Sequence, residues 1–167
     1  MKRLFFALWP DAATRQQCLQ IQQALPKLGC RPVAAHNLHV TLVFLGNVDQ
    51  QQEQALLEAA ADIPAVQVQI EFDQLAFWQK PQVLCLTARH IEAELARLVT
   101  QLTNAARLLH IAIDERPYQA HVTLARKAKQ AVDLQIEPII WRAHSFCLVE
   151  SCSTPAGVDY RLCQTWS

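Results

Sequence analysis

The chain has 167 residues, of which 51% are hydrophobic and 18% are charged, and its formal net charge is zero. This composition is sufficient for the core of one compact domain and excludes a disordered chain. A neutral protein also lacks the broad positive field of a general nucleic-acid binder, so any nucleic acid is expected to be held locally.

The start of the chain and its cysteines exclude further classes of protein. The apolar run Leu4–Trp9 has only six residues and is closed by Pro10, which does not fit a signal peptide. No stretch approaches the roughly 20 apolar residues that span a bilayer. The six cysteines form neither a Cys-x-x-Cys pair nor a dense framework, unlike a zinc ribbon or a disulfide scaffold. The sequence therefore predicts one cytoplasmic domain over residues 1–167, with no contact to a membrane.

In the first half of the chain, strands and helices alternate. Apolar patterns predict strands at Leu4–Trp9, Leu38–Leu45 and Val66–Ile70. Helical patterns with capping residues predict helices at Asp11–Leu25 and Gln50–Ala61. Gly46-Asn47 is expected to stop the second strand, because glycine followed by asparagine is typical of a turn.

The second half repeats this alternation. Strands are predicted at Gln82–Ala88, around 121–124, at Ser145–Glu150 and at Tyr160–Cys163. A helix is predicted over Ile91–Leu109, where leucines recur at helical spacing. These elements predict an α+β fold with two pseudo-symmetric lobes of antiparallel sheet, outer helices and a central cleft.

The tetrapeptide His-Val-Thr-Leu occurs twice, at 39–42 and at 121–124. Each copy follows a predicted amphipathic helix at a similar interval, which indicates two copies of one strand-helix-strand unit. Side chains alternate along a strand, so His39 and Thr41 share one face while His121 and Thr123 share another. Two imidazoles, each beside a hydroxyl, are thereby presented to the space between the strands.

Two histidines suit the hydrolysis of a cyclic phosphodiester without a metal. With an ordinary pKa of about 6.5, one imidazole can take a proton from water while the other gives one to the departing oxygen. The threonine hydroxyls can donate to the phosphate, and Arg126 can add a charge-assisted contact. Simple alternation places Arg126 on the face opposite His121, so this role requires a bulge or twist near Ala125.

Two other interpretations of the histidines remain open at this point. Both could be ordinary strand residues with local hydrogen bonds, although duplication on matching elements favours a shared function. Both could also bind zinc, but neither motif supplies a second ligand at close spacing.

The ordered set of motifs resembles the 2H phosphoesterase superfamily, and in particular the RNA 2′,3′-cyclic phosphodiesterases, also called 2′-5′ RNA ligases. The resemblance covers nearly the whole chain. Its motifs are Arg3-Leu4-Phe5-Phe6-Ala7, Arg31-Pro32-Val33, Asn37-Leu38-His39-Val40-Thr41-Leu42 with Phe44-Leu45-Gly46, His121-Val122-Thr123-Leu124-Ala125-Arg126 and the segment Ser151 to Tyr160.

The resemblance implies an enzyme that opens a terminal 2′,3′-cyclic phosphate on RNA to leave a 2′-phosphate. Some family members also join tRNA halves through a 2′-5′ linkage in reverse. By this resemblance His39 protonates the departing 3′ oxygen, His121 activates water, and Thr41, Thr123 and Arg126 hold the phosphate. No cofactor or metal is expected.

The expected ligands are RNA ends or small cyclic-phosphate nucleotides, bound by a monomer without an obligate protein partner. A terminal base needs a stacking surface, and Trp78 is the candidate. Two alternatives stay open: a family member with another substrate, such as a cyclic phosphate on ADP-ribose or 2′-5′ oligoadenylate, and a catalytically silent RNA-end binding module.

Overall fold

A computed structural model describes residues 1–64 and 66–167. This part of the chain contains ten β-strands, three α-helices and one short 3-10 turn. The strands are β1 Lys2–Leu8, β2 Arg31–Pro32, β3 Val40–Val48, β4 Val68–Phe72, β5 Gln74–Trp78, β6 Val83–Thr87, β7 His121–Arg126, β8 Ile139–Ala143, β9 Phe146–Thr154 and β10 Gly157–Trp166. The helices are α1 Ala12–Ala24, α2 Gln50–Ala61 and α3 Ala93–Leu108, and the 3-10 turn is Ala35–Asn37.

The strands form two four-stranded antiparallel sheets and a short two-stranded one. The first sheet has the strand order β10-β9-β1-β3, and the second has the order β2-β7-β6-β5. The small sheet pairs β4 with β8. The predicted α+β fold with two antiparallel lobes is confirmed.

Neither lobe is built from one half of the chain alone. Strand β2 comes from the first half but pairs with β7 in the second sheet. Conversely β9 and β10, from the end of the chain, complete the first sheet beside β1. The lobes therefore exchange strands, which ties them together and brings side chains from both halves to each sheet.

Local sequence signals account for the helix ends and faces. Asp11 accepts a hydrogen bond from the Thr14 amide at 2.7 Å, and Asp49 with Gln52 forms the predicted capping box of α2. On α3, side chains at helical spacing are buried against the sheets: Leu95, Leu98, Leu102 and Ala106. No helix in the described part of the chain combines the length and apolar composition needed to cross a membrane.

The predicted C-terminal end of β3 was wrong. The strand does not stop at Gly46-Asn47 but continues to Val48. Gly46 has a φ of 70°, and the pairing with β1 shifts between Leu4 and Phe5, so this stretch is a bulge. Glycine is favoured there because a left-handed φ costs it nothing, and the strand resumes afterwards.

Apart from the two-residue β2, two strands were absent from the sequence prediction, β5 and β8. Strand β5 is an edge strand whose apolar side chains are only partly buried, so it lacks the alternation that identifies a strand. Strand β8 pairs with β4 from far earlier in the chain, and that pairing is not visible in local sequence.

Candidate active site

His39 is held by contacts to the turn before it and to the strand after it. It lies directly before β3 and is half-buried, and its Nδ1–H donates to the carbonyl oxygen of Asn37 at 2.7 Å. Its Nε2 lies 3.0 Å from Oγ1 of Thr41. In the neutral ring, Nδ1 therefore carries the proton and Nε2 accepts from the threonine hydroxyl.

His121 is held in the same way on the other lobe. It is the first residue of β7, and its Nδ1–H donates to the carbonyl oxygen of Gln119 at 3.0 Å. Both rings are thus bound at Nδ1 by the carbonyl two residues earlier. Among the described residues, His121 Nε2 has no counterpart of the Thr41 contact, although Thr123 lies on the same strand face.

The bulge that Arg126 requires is present. Opposite β6, Thr123 pairs with Cys85 and Ala125 with Leu84, so Leu124 is an extra residue. Leu124 and Ala125 are both buried, and after them Arg126 returns to the face of His121. The sequence-based condition for a role of Arg126 is therefore met.

The first motif contains the same irregularity. In the pairing with β1, the register shifts between Phe6 and Ala7, so that Leu42 is an extra residue in β3. Leu42 and Val43 are both buried, and Phe44 then emerges with 44% of its surface exposed. Phe44 consequently occupies in the first lobe the place that Arg126 occupies in the second.

Aromatic side chains surround His39. Trp9 stacks on the imidazole with ring centroids 5.5 Å apart and planes at 10°. Tyr160 meets it edge-on at 4.9 Å, and Phe5 lies 5.0 Å away. None of these three aromatic residues was predicted from the sequence to belong to the site. Tyr160 stands at the end of a segment that carries the family resemblance, which is the signal that could have identified it.

Asn37 and Tyr160 connect His39 to the first sheet and to Arg126. The buried Asn37 side chain donates to the Val158 carbonyl at 2.9 Å and accepts from the Tyr160 amide at 3.2 Å. The Tyr160 hydroxyl in turn accepts from Nη2 of Arg126 at 3.4 Å. The turn before the first motif therefore positions His39 and Tyr160 together.

Burial lowers the pKa of both histidines. For His39 it is the main reason that the pKa falls to about 4; the Asn37 carbonyl opposes this effect, and the charges of His121 and Arg126 add to it. Burial likewise lowers the pKa of His121, opposed by the Gln119 carbonyl and assisted by Arg126. The charges of His121 and Arg126 reach His39, and that of Arg126 reaches His121, so the three groups share one electrostatic environment. At neutral pH both rings are neutral before an anion binds.

A groove of about 450 Å³ lies between the two lobes and reaches His121, whereas His39 and Arg126 are not among its lining residues. Thr41, Phe44, Trp78 and His121 line it, and the Tyr118 hydroxyl crosses between the lobes to donate to the Thr41 carbonyl at 3.0 Å. The ring of Trp78 lies 4.6 Å from that of His121 at 55°. The structure thus brings the predicted aromatic residue to the second histidine.

The described part of the chain contains no set of side chains that could bind zinc. Across residues 1–64 and 66–167, no three His, Cys, Asp or Glu side chains lie together in a group that could hold a metal ion.

Residues 8–85 match the model of the family described as LigT like Phosphoesterase. The RNA 2′,3′-cyclic phosphodiesterase of Escherichia coli strain K12 is 33% identical over 169 residues, covering 99% of this chain and 96% of that protein. The chain belongs to the LigT-like phosphoesterase family. A family relative with the same name from Archaeoglobus fulgidus is 25% identical over 173 residues, covering 95% of this chain and 96% of its own. The resemblance seen in the sequence motifs is confirmed.

Solved structures of the LigT-like phosphoesterase family share the whole fold. E. coli LigT in its apo form superimposes with a TM-score of 0.89 at 31% identity, covering 99% of this chain and 96% of that one. E. coli LigT complexed with 3′-AMP gives a TM-score of 0.89 at 31% identity, covering 99% and 97%.

Proposed function

We propose that the protein is an RNA 2′,3′-cyclic phosphodiesterase that opens a terminal 2′,3′-cyclic phosphate to a 2′-phosphate, with His39 and His121 as its acid and base. One observation carries this proposal. Each lobe holds a histidine by Nδ1 in the same manner, so that Nε2 is the ring atom available for reaction: that of His39 contacts the Thr41 hydroxyl, and that of His121 has no hydrogen-bond partner among the described residues. The names of the E. coli and A. fulgidus relatives support the same activity.

The reaction needs two proton transfers around one phosphorus atom. Water attacks the phosphorus and gives a proton to the base, while the bond to the 3′ oxygen breaks and the acid protonates that oxygen. The family resemblance gives the acid role to His39 and the base role to His121. Nε2 of His121 suits a base because no threonine hydroxyl occupies it among the described residues.

His39 must gain a proton before it can act as the acid. Its pKa of about 4 in the free protein keeps the ring neutral at pH 7. A bound phosphate places a negative charge beside the ring and partly offsets Arg126, and both changes raise the pKa. Substrate binding and protonation of His39 are therefore linked in this proposal.

The remaining predicted residues hold the substrate. Thr41 and Thr123 donate hydroxyl hydrogen bonds to the non-bridging oxygens, and Arg126 offers a guanidinium to the charge that builds in the transition state. Tyr160 supports Arg126 through its hydroxyl. Trp78 provides the face on which the terminal base stacks, next to His121.

The same chemistry accounts for a reversible 2′-5′ ligase activity. A 5′-hydroxyl of a second RNA takes the place of water, and the product is a 2′-5′ linkage with a free 3′-hydroxyl. Cytoplasmic location, the monomeric state and the absence of a cofactor stay predictions of the sequence.

Product analysis tests the proposal. The wild-type protein is incubated with a short RNA ending in a 2′,3′-cyclic phosphate, in the presence of a chelator, and the ends are identified by chromatography against 2′-phosphate and 3′-phosphate standards. We expect a 2′-phosphate. Binding without turnover would instead favour the silent RNA-end module. Turnover of cyclic phosphates on ADP-ribose or of 2′-5′ oligoadenylate, with none on RNA, would favour the other substrates.

A further inference from the structure

A row of four residues crosses the second sheet on the side of the histidine. Trp78 of β5 is opposite Val83 of β6, Val83 is opposite Arg126 of β7, and Arg126 is opposite Arg31 of β2. Residues directly opposite in antiparallel strands project to the same face. Because the bulge in β7 returns Arg126 to the face of His121, Arg31 projects to that face as well.

Arg31 and Arg126 therefore lie side by side at the edge of the catalytic site. Like charges directly opposite in a sheet destabilise it unless an anion lies between them. Both side chains are exposed, and in the described part of the chain neither Arg31 nor Arg126 forms an ion pair with a carboxylate. The pair therefore has an excess of positive charge that a phosphate can neutralise.

Strand β2 is anchored in this position although it has only two residues. The Val33 amide donates to the Leu124 carbonyl at 2.9 Å. The side-chain amide of Gln22 on α1 donates to both the Val33 and the Leu124 carbonyls, at 2.8 Å each. These contacts tie β2 to the bulge of β7, so the backbone that carries Arg31 is fixed relative to Arg126.

We infer that Arg31, beside Arg126, forms a second phosphate-binding subsite for the phosphodiester that precedes the terminal nucleotide of an RNA. The inference rests on the proposed function, because it takes the cyclic phosphate to lie at His121 and Arg126. One strand spacing of about 4.8 Å separates Arg31 from Arg126, and flexible arginine side chains extend that reach toward the next phosphate of a chain. In this arrangement the terminal nucleobase of the RNA lies toward Trp78, and the preceding nucleotides of the RNA extend past Arg31. The subsite thus selects an RNA end over a cyclic mononucleotide.

Paired substrates test this subsite. We compare kcat/KM for a 2′,3′-cyclic mononucleotide and for a dinucleotide ending in the same cyclic phosphate. Arg31→Gln is expected to lower the value for the dinucleotide by about tenfold, as the loss of a charge-assisted hydrogen bond predicts. The value for the mononucleotide is expected to stay within about twofold. Arg31→Lys should retain part of the preference, and Arg142→Gln, an exposed arginine on β8, is the matched control.

The outcomes separate the inference from the proposed function. Wild-type turnover of the mononucleotide tests the function, whereas the effect of Arg31→Gln on the ratio tests the subsite. An equal loss on both substrates, or no loss on either, would overturn the subsite. A 5′-phosphorylated mononucleotide and an ADP-ribose cyclic phosphate complete the panel. If either depends on Arg31 more strongly than the dinucleotide does, the subsite serves a terminal phosphate or diphosphate and the RNA assignment is overturned.

Thermal unfolding provides a readout that is independent of turnover. Without added anion, Arg31→Gln is expected to be at least as stable as the wild type, since it removes a like-charge pair. Inorganic pyrophosphate should raise the Tm of the wild type more than that of the variant. Equal shifts in Tm would contradict an anion site at Arg31.

Discussion

Burial of His39 makes the stability of this protein depend on pH in a defined window. The pKa of the ring falls from its ordinary 6.5 to about 4 in the folded protein. Between these values the unfolded chain binds more protons than the folded one, so stability decreases as pH falls through the window. From pH 8 to pH 5 the loss from this group is about 2 kcal/mol, and well below pH 4 it reaches about 3 kcal/mol.

The variant His39→Gln isolates that contribution. Urea unfolding of both proteins at pH 8 and pH 5 gives two differences in the free energy of unfolding. At pH 8 the variant is expected to be less stable, because it loses the packing against Trp9 and the bond to Asn37. At pH 5 this deficit should shrink by about 2 kcal/mol, since glutamine does not titrate. A deficit of equal size at both pH values would show that the pKa of His39 is not lowered in the folded protein.

Four further predictions concern the site. If His39 is the acid, a substrate with sulfur at the 3′ bridging position, which leaves without a proton, should restore the rate of His39→Gln but not of His121→Gln in single-turnover assays; the opposite pattern would reverse the roles. Trp78→Ala should raise KM about tenfold for base-bearing substrates while kcat changes little, and an unchanged KM would remove Trp78 from base binding. Tyr160→Phe keeps the ring against His39 but releases Arg126, so kcat/KM should fall by about fivefold, whereas an unaltered value would show that the hydroxyl is dispensable. Asn37→Ser should reproduce that loss, because it frees the β10 backbone at Tyr160, and wild-type kinetics would refute the link.

The local sequence was sufficient to predict those features of the site that depend only on the alternation of side chains along a strand. Alternation within the duplicated tetrapeptide places Val40 and Val122 on the faces opposite the histidines, and both valines are buried. It also places each histidine on a face with the threonine two residues later, and in the first motif His39 contacts Thr41 at 3.0 Å. These features follow from the geometry of a single strand and need no partner.

Features that depend on pairing could not be obtained from the sequence. The bulge at Leu124, which turns Arg126 toward His121, exists only in the register with β6. The position of Arg31 depends on β2 crossing to the other lobe. The low pKa of His39 depends on burial, and Tyr160, which packs on its ring, is contributed by a strand from the far end of the chain.

In the proposed mechanism, two imidazoles from different lobes act on one phosphorus atom. The most direct measurement is kcat/KM for a 2′,3′-cyclic phosphate RNA end, with chelator present, for the wild type, His39→Gln, His121→Gln and His144→Gln. His144 is an exposed histidine that precedes β9 and serves as the control. We predict a loss of about 10²-fold or more for each of the first two variants and none for the third. A wild-type rate in either His39→Gln or His121→Gln would show that the substituted histidine takes no part in the reaction.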